Sequence, residues 1–184
     1  LADWMAESGS RDKLTEIVRM VLTAPPADPT SREKLARLLL KLGLLAEADA
    51  LLAGTRHKTV WLKFYQAEVR RQQKRSKEAL DLYHALTAAL PEGGKIPRMA
   101  TLSLETLKRR SETEPDNLEM QSSFAWKLMK AGRWAEADRL WGRISRQWPD
   151  YADAYRFRAA CLEEQKQLEA AANEWKTYFG LVLL

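Results

Sequence analysis

Residues 131–138 read Ala-Gly-Arg-Trp-Ala-Glu-Ala-Asp, and residues 42–49 read Leu-Gly-Leu-Leu-Ala-Glu-Ala-Asp. In both stretches a glycine and two further residues are followed by the same four residues, Ala-Glu-Ala-Asp, so the chain contains an internal repeat. Glycine commonly ends a helix, whereas Ala and Glu are strong helix formers. Each stretch therefore predicts a turn between two helices.

The repeat has a regular period in the second half of the chain. Three pairs of identical residues are 34 positions apart: Pro115 and Pro149, Ala137 and Ala171, and Trp141 and Trp175. Between the prolines, apolar residues recur at the spacing of one helix face, first in one helix and then in a second. A proline that cannot continue a helix ends the unit. The period predicts a series of two-helix hairpins.

A 34-residue helical hairpin with small residues where its helices pack closely resembles the tetratricopeptide repeat. The small residues at those positions are Ala36, Ala48, Ala67, Ala79, Ala125, Ala137, Ala159 and Ala171. The resemblance implies an all-α fold, a right-handed solenoid of antiparallel helix hairpins. Residues 1–9 fall into the same register, starting inside a first helix. We therefore expect a fragment of a longer array with a truncated first hairpin.

Two spacings depart from the period. From Ala48 to Ala79 is 31 residues, which predicts a clipped second helix or turn near residues 54–59. From Ala79 to Ala137 is 58 residues, one repeat plus 24, which predicts one extra helix starting at Pro97. This helix either bends the solenoid or packs as a degenerate repeat.

These departures divide the chain into three predicted parts. Residues 1–93 form N-terminal hairpins, residues 94–117 form the irregular helix and linker, and residues 118–184 form two C-terminal hairpins.

Composition narrows the class of protein. The 184 residues are 46% hydrophobic, which is typical of a globular protein and not of a disordered one. The 25 acidic residues are interspersed among 30 basic ones, so the net charge of +5 predicts mostly solvated helix faces. No apolar run is long enough to cross a bilayer. A single cysteine excludes an internal disulfide and leaves both periplasm and cytoplasm open.

Residues for catalysis or metal binding are sparse. His57, His84 and Cys161 share no spacing typical of a metal site, and the paired acids lie in polar helix stretches. We therefore predict a protein without enzymatic activity, cofactor, metal site or small-molecule substrate.

In tetratricopeptide arrays, the first helix of each hairpin lines a concave groove. Carried onto this sequence, the resemblance assigns partner binding to Arg37, Lys41, Trp61, Phe64, Arg71, Trp126, Met129, Lys130 and Arg156. Large aromatic residues outside the packing stripe, close to basic residues, are typical of binding hot spots. An alternative is that the extra helix or a neighbouring hairpin covers these aromatics.

The resemblance thus implies a scaffold that binds another protein or peptide. Many long arrays of this kind work in bacterial envelope assemblies such as polysaccharide export, so this setting is our more specific expectation. The asparagine of a chaperone-tail clamp is missing from the groove positions. The alternative function is nucleic-acid binding, because residues 70–77 and 108–110 are basic and groove aromatics can stack on bases.

Overall fold

The computed structural model describes residues 11–55, 59–90 and 97–183, and these residues are all α-helical in class. The helices are α1 Arg11–Leu22, α2 Pro29–Leu42, α3 Leu45–Ala53, α4 Val60–Gln72, α5 Ser76–Ala89, α6 Leu104–Thr113, α7 Leu118–Lys130, α8 Trp134–Gln147, α9 Ala152–Glu164 and α10 Leu168–Val182. A short 3₁₀ turn, Arg98–Thr101, precedes α6. Residues 1–9, for which the sequence predicts the repeat register, and His57 lie outside the described residues.

The chain divides into two compact units, Leu1–Leu86 and Thr87–Leu184. In the first unit, α2 packs against α3 and α4, and α1 packs against α2. In the second unit, α7, α8, α9 and α10 pack in sequence, each against the next, and α6 packs against α7. The expected all-α class and the antiparallel hairpins are confirmed. The three-part division at residues 93/94 and 117/118 stays a prediction.

The eight alanines that the repeat places at close-packing positions are all 0% exposed. A methyl side chain lets the backbones of neighbouring helices approach each other, and a larger side chain there forces backbone shifts that cost about 1–3 kcal/mol. Around these alanines the larger apolar residues fill the space: Leu39 and Leu52 in the first unit and Leu128 and Trp141 in the second are all buried. The predicted packing stripes therefore form the cores.

The turn between the two helices of a hairpin contains a residue in the left-handed backbone conformation. Gly43 and Gly132, the glycines of the repeated stretches, have φ angles of 74° and 71°. Glycine adopts this conformation without the steric cost that a Cβ brings. Lys74 and Lys166 occupy the corresponding turns of α4–α5 and α9–α10, both at φ 62°. The turn geometry is thus the same in four hairpins although only two use glycine.

The repeated stretches end in aspartates that bind arginines of the following hairpin. Arg70 of α4 donates a hydrogen bond to Asp49 at 2.5 Å, which lowers the pKa of that carboxyl. Arg158 of α9 donates to Asp138 at 2.9 Å and to Glu174 of α10 at 2.8 Å. Both arginines thus form ion pairs between helices, from α4 to α3 and from α9 to α8 and α10.

The structure shows how each departure from the 34-residue period is accommodated. Helix α3 has nine residues whereas α5 and α8 have fourteen, as the short spacing predicts.

The extra helix does not begin at Pro97. Ser103 accepts a hydrogen bond from the Thr106 backbone N–H at 3.1 Å and starts α6 at Leu104. Capping by a serine side chain thus moves the helix start seven residues beyond the predicted one.

Candidate functional site

The predicted binding residues of the first unit lie in two different surroundings. Arg37 and Lys41 are exposed on α2, and Trp61 is half-buried at the start of α4. Phe64 is 8% exposed, with its ring centroid 6.4 Å from that of Tyr83 on α5. The expectation that Phe64 lies outside the packing is therefore wrong, because the large Tyr83 ring extends the buried face of α4.

Arg71 has a partner within the first unit. Its Nε and one Nη donate to the two carboxylate oxygens of Glu68 at 3.0 and 2.9 Å, and Glu68 is 5% exposed. The Tyr83 hydroxyl donates to the same carboxylate. Burial, followed by the charge of Glu68, raises the pKa of Tyr83. A bidentate pair inside a buried cluster is a stabilising contact, so the structure gives Arg71 a role in packing.

The three arginines of the basic run at residues 70–77 form ion pairs with neighbouring acids. Arg70 pairs with Asp49 and Glu78, Arg71 with Glu68, and Arg75 with Glu78. In the other run, Arg110 pairs with Glu114. Arginines that are bound to carboxylates are poorly placed to neutralise phosphates.

The second unit contains an open groove with a volume of about 420 Å³. The residues that line it include Trp126, Met129 and Lys130 of α7, Trp134 of α8, Arg156, Phe157 and Ala160 of α9, and Trp175 of α10. The volume lies within the range of about 300–1,000 Å³ that is usual for ligand sites. The structure thus brings together four of the predicted binding residues, Trp126, Met129, Lys130 and Arg156.

Three aromatic residues of the groove were not predicted as binding residues. The repeat pattern assigns Trp134 and Trp175 to the packing stripe of their helices, and Phe157 directly follows the predicted Arg156. Trp175 is buried, with 4% of its surface exposed, whereas Trp134 and Phe157 are half-buried. A large ring has enough surface to contact the core on one side and line a groove on the other. The large size of these side chains was the one signal in the sequence that could have identified them as groove residues.

Hydrogen bonds hold the groove walls in place. The Trp141 indole N–H donates to the Met129 sulfur at 3.2 Å, and the Trp175 indole N–H donates to Glu163 at 2.7 Å. The ring of Phe157 stacks on buried Trp141 with a centroid separation of 5.0 Å. These contacts pre-organise the groove, which reduces the entropy that a partner must lose on binding.

The cations of the groove lie on aromatic rings. Lys130 Nζ is 5.2 Å from the centroid of Trp126, and the Arg156 guanidinium carbon is 4.6 Å from that of Phe157. Arg156 also forms an ion pair with Asp153 at 3.4 Å. Burial raises the pKa of Asp153, and the charge of Arg156 opposes this shift. The groove therefore combines apolar walls with positive charge.

Cys161 is buried against the groove-forming helices. Burial, with a smaller contribution from Asp138, raises the pKa of its thiol to about 12. Because the thiolate is the nucleophile, we expect Cys161 of the folded protein to react with Ellman's reagent at least about 100-fold more slowly than that of the denatured protein. Absorbance at about pH 8 measures both rates. Similar rates would show that the thiol is accessible, which contradicts this packing.

Groups for metal binding or membrane insertion do not appear in the described part of the chain. No three His, Cys, Asp or Glu side chains of residues 11–55, 59–90 and 97–183 come together as a metal site requires. None of the helices in these ranges has the length and hydropathy of a membrane span.

The family model for the tetratricopeptide repeat matches residues 123–175, which span most of α7 to α10. The match shows that this part of the chain is similar to tetratricopeptide repeats. Most of the groove lining lies within it, on the first helices α7 and α9 and the second helices α8 and α10. Tetratricopeptide proteins are in general non-enzymatic scaffolds, and the fold supports protein–protein interaction.

Two solved structures are among those to which the chain is similar. YrrB, described as a TPR protein with an unusual peptide-binding site, is 19% identical, with 90% of this chain and 92% of that chain covered and a TM-score of 0.44. A MamA structure from MSR-1 is 17% identical, with 83% and 95% covered and a TM-score of 0.42. No curated protein sequence matches significantly. At these TM-scores, the similarity to tetratricopeptide repeats rests on the match over residues 123–175.

Proposed function

We propose that the second unit binds a segment of a partner protein in the groove between α7 and α9. The observation that carries this proposal is the set of aromatic residues, Trp126, Trp134 and Phe157, that remain half-buried around an open groove. Such rings lose apolar contact with water when a partner side chain enters. Binding energy at protein interfaces concentrates on tryptophan and arginine residues in pockets of this kind.

Pre-organisation supports the same function. Met129, Phe157 and Trp175 are each fixed by a hydrogen bond or a stacked ring within the unit. A partner segment therefore meets walls that are already ordered, and fewer side chains lose freedom on binding. The first-unit residues Arg37, Lys41 and Trp61 remain predicted binding residues of that unit and do not line this groove.

Nucleic-acid binding has less support. A groove that follows a single strand needs several cations that are available to phosphates. The groove has Lys130 and Arg156, and Arg156 is shared with Asp153. The proposed role in a bacterial envelope or polysaccharide-export assembly rests on the family resemblance, and no described residue bears on it.

A photo-crosslinking experiment tests the groove. We expect Lys130→benzoylphenylalanine, irradiated in lysate of the source cells, to form a discrete crosslink to a partner peptide identified by mass spectrometry. Adding Trp126→Ala removes the ring beside position 130, so the crosslink is lost or falls at least about tenfold.

Two control variants define the outcome. Trp148→Ala changes another half-buried tryptophan that packs on the same core without lining the groove, so the crosslink persists. Arg143→benzoylphenylalanine places the photoprobe on an exposed part of α8 and gives different products. Circular dichroism confirms equal helix content. Identical products from positions 130 and 143, or a crosslink that is insensitive to Trp126→Ala, would contradict a groove-binding function.

A further inference from the structure

The polar groups that line the groove are mainly hydrogen-bond donors. Lys130 and Arg156 are its charged residues, and no Asp or Glu lines it among the described residues. The indole N–H groups of Trp126 and Trp134 form no hydrogen bond to another described residue. Indole N–H and ammonium groups can only donate. A complementary occupant must therefore supply acceptors.

The nearest acids do not supply those acceptors. Asp153 is engaged by Arg156, and Glu163 accepts the hydrogen bond of the Trp175 indole. Lys130 is exposed at the C-terminal end of α7, and its ammonium group lies over the Trp126 ring without an ion pair to a described residue. A carboxylate that reaches this position meets a cation in a groove that is also lined by the indoles of Trp126 and Trp134. Charge-assisted hydrogen bonds are about twice as strong as neutral ones.

We propose that the groove binds an acidic protein segment in which a bulky apolar side chain is flanked by Asp or Glu. This inference rests on the proposed function and specifies its partner. The apolar side chain enters between Met129, Phe157 and Trp175, and the flanking carboxylates accept hydrogen bonds from Lys130 and the indole N–H groups of Trp126 and Trp134.

The same chemistry disfavours other occupants. A basic segment would place its cations beside Lys130 and Arg156, and like charges in contact cost binding free energy. Sugar hydroxyls bring a donor with each acceptor, and those donors find no carboxylate on the groove walls. A nucleic-acid strand carries acceptors and stacking bases, but it needs more than two cations along its path.

Fluorescence polarisation with defined probes tests the partner chemistry. The labelled peptides are SGEEWEEGS, its amide analogue SGQQWQQGS, its basic analogue SGKKWKKGS and its alanine analogue SGEEAEEGS, together with a single-stranded RNA of about twelve nucleotides. We expect SGEEWEEGS to bind at least about tenfold more tightly than each other peptide and than the RNA, because it alone supplies both the apolar group and the carboxylates.

Charge-reversal variants locate the binding. We expect Lys130→Glu to weaken SGEEWEEGS binding at least about tenfold, whereas Lys176→Glu, the same change at an exposed site on α10 outside the groove, alters it less than about twofold. Trp126→Ala weakens it as well. Binding that is equally sensitive to both lysines would reflect net charge alone and would overturn the inference.

Other outcomes separate this inference from the proposed function. Equal binding of the acidic and amide peptides, with loss on Trp126→Ala, overturns the acidic preference and leaves groove binding intact. Preferential binding of the RNA, or no binding of any peptide, also overturns the inference. The photo-crosslinking experiment decides the proposed function independently.

Discussion

Trp141→Ala lowers the free energy of unfolding by about 3–5 kcal/mol, the largest single-residue effect that we expect in this protein. Trp141 is 0% exposed and belongs to the core of the second unit. Its removal loses the burial of a large ring, the stacking on Phe157 and the hydrogen bond to Met129. The neighbouring helices cannot collapse fully onto the space, so a cavity remains. Urea unfolding followed by circular dichroism measures the loss.

The control for this variant is Trp148→Ala, directly after the same helix. Trp148 is half-buried where α8 ends, so its loss costs less, about 1–2 kcal/mol. Met129 and Phe157 line the groove, and both contact Trp141. We therefore also expect Trp141→Ala to weaken the photo-crosslink from position 130. Equal losses of stability in the two variants would contradict the packing described for α8.

Arg71→Met lowers the free energy of unfolding by about 2–4 kcal/mol, because it leaves the buried carboxylate of Glu68 without its cation. Methionine preserves most of the apolar stem, so the loss reports the charge and not the packing. Adding Glu68→Gln removes the uncompensated charge, and we expect this double variant to regain part of the stability. Chemical denaturation at about pH 7 measures all three proteins.

The matched control is Arg75→Met. Arg75 forms the same type of pair with Glu78, but both side chains are 47% exposed, so we expect a loss of less than about 1 kcal/mol. If Arg71→Met cost no more than Arg75→Met, Arg71 would be available to a partner as the sequence alone predicts. If it costs more, Arg71 is mainly a structural residue.

The fold was predictable because its determinants are local in sequence. The period shows in the alanines and in residues such as Gly132 and Trp141, and each reports a constraint that acts within one hairpin. Small residues mark close approaches of helices, and a glycine marks a left-handed turn. The start of α6 was missed because a serine cap, worth about 1 kcal/mol, outweighed the preference of proline for a first helical turn.

The site was predictable only in part. On α7 and α9 the predicted residues Trp126, Lys130 and Arg156 line one groove, and their role in binding stays a prediction. On α4 the same positions lie in a buried cluster, because the surroundings of Phe64 and Arg71 depend on the size and hydroxyl of Tyr83 in another helix. Sequence spacing specifies which residues share a helix face, but it does not specify which tertiary partners cover that face.

The central claim is that a partner segment occupies the groove of the second unit. The most direct measurement is a titration of ¹⁵N-labelled protein with the crosslinked segment, made as a synthetic peptide, while NMR follows the tryptophan indole N–H signals. We predict that the Trp126 and Trp134 signals shift with the same saturation curve, because both side chains line the groove, while Trp61 and Trp148 stay unchanged. Shifts at Trp61 or Trp148 without shifts at Trp126 and Trp134 would contradict the claim.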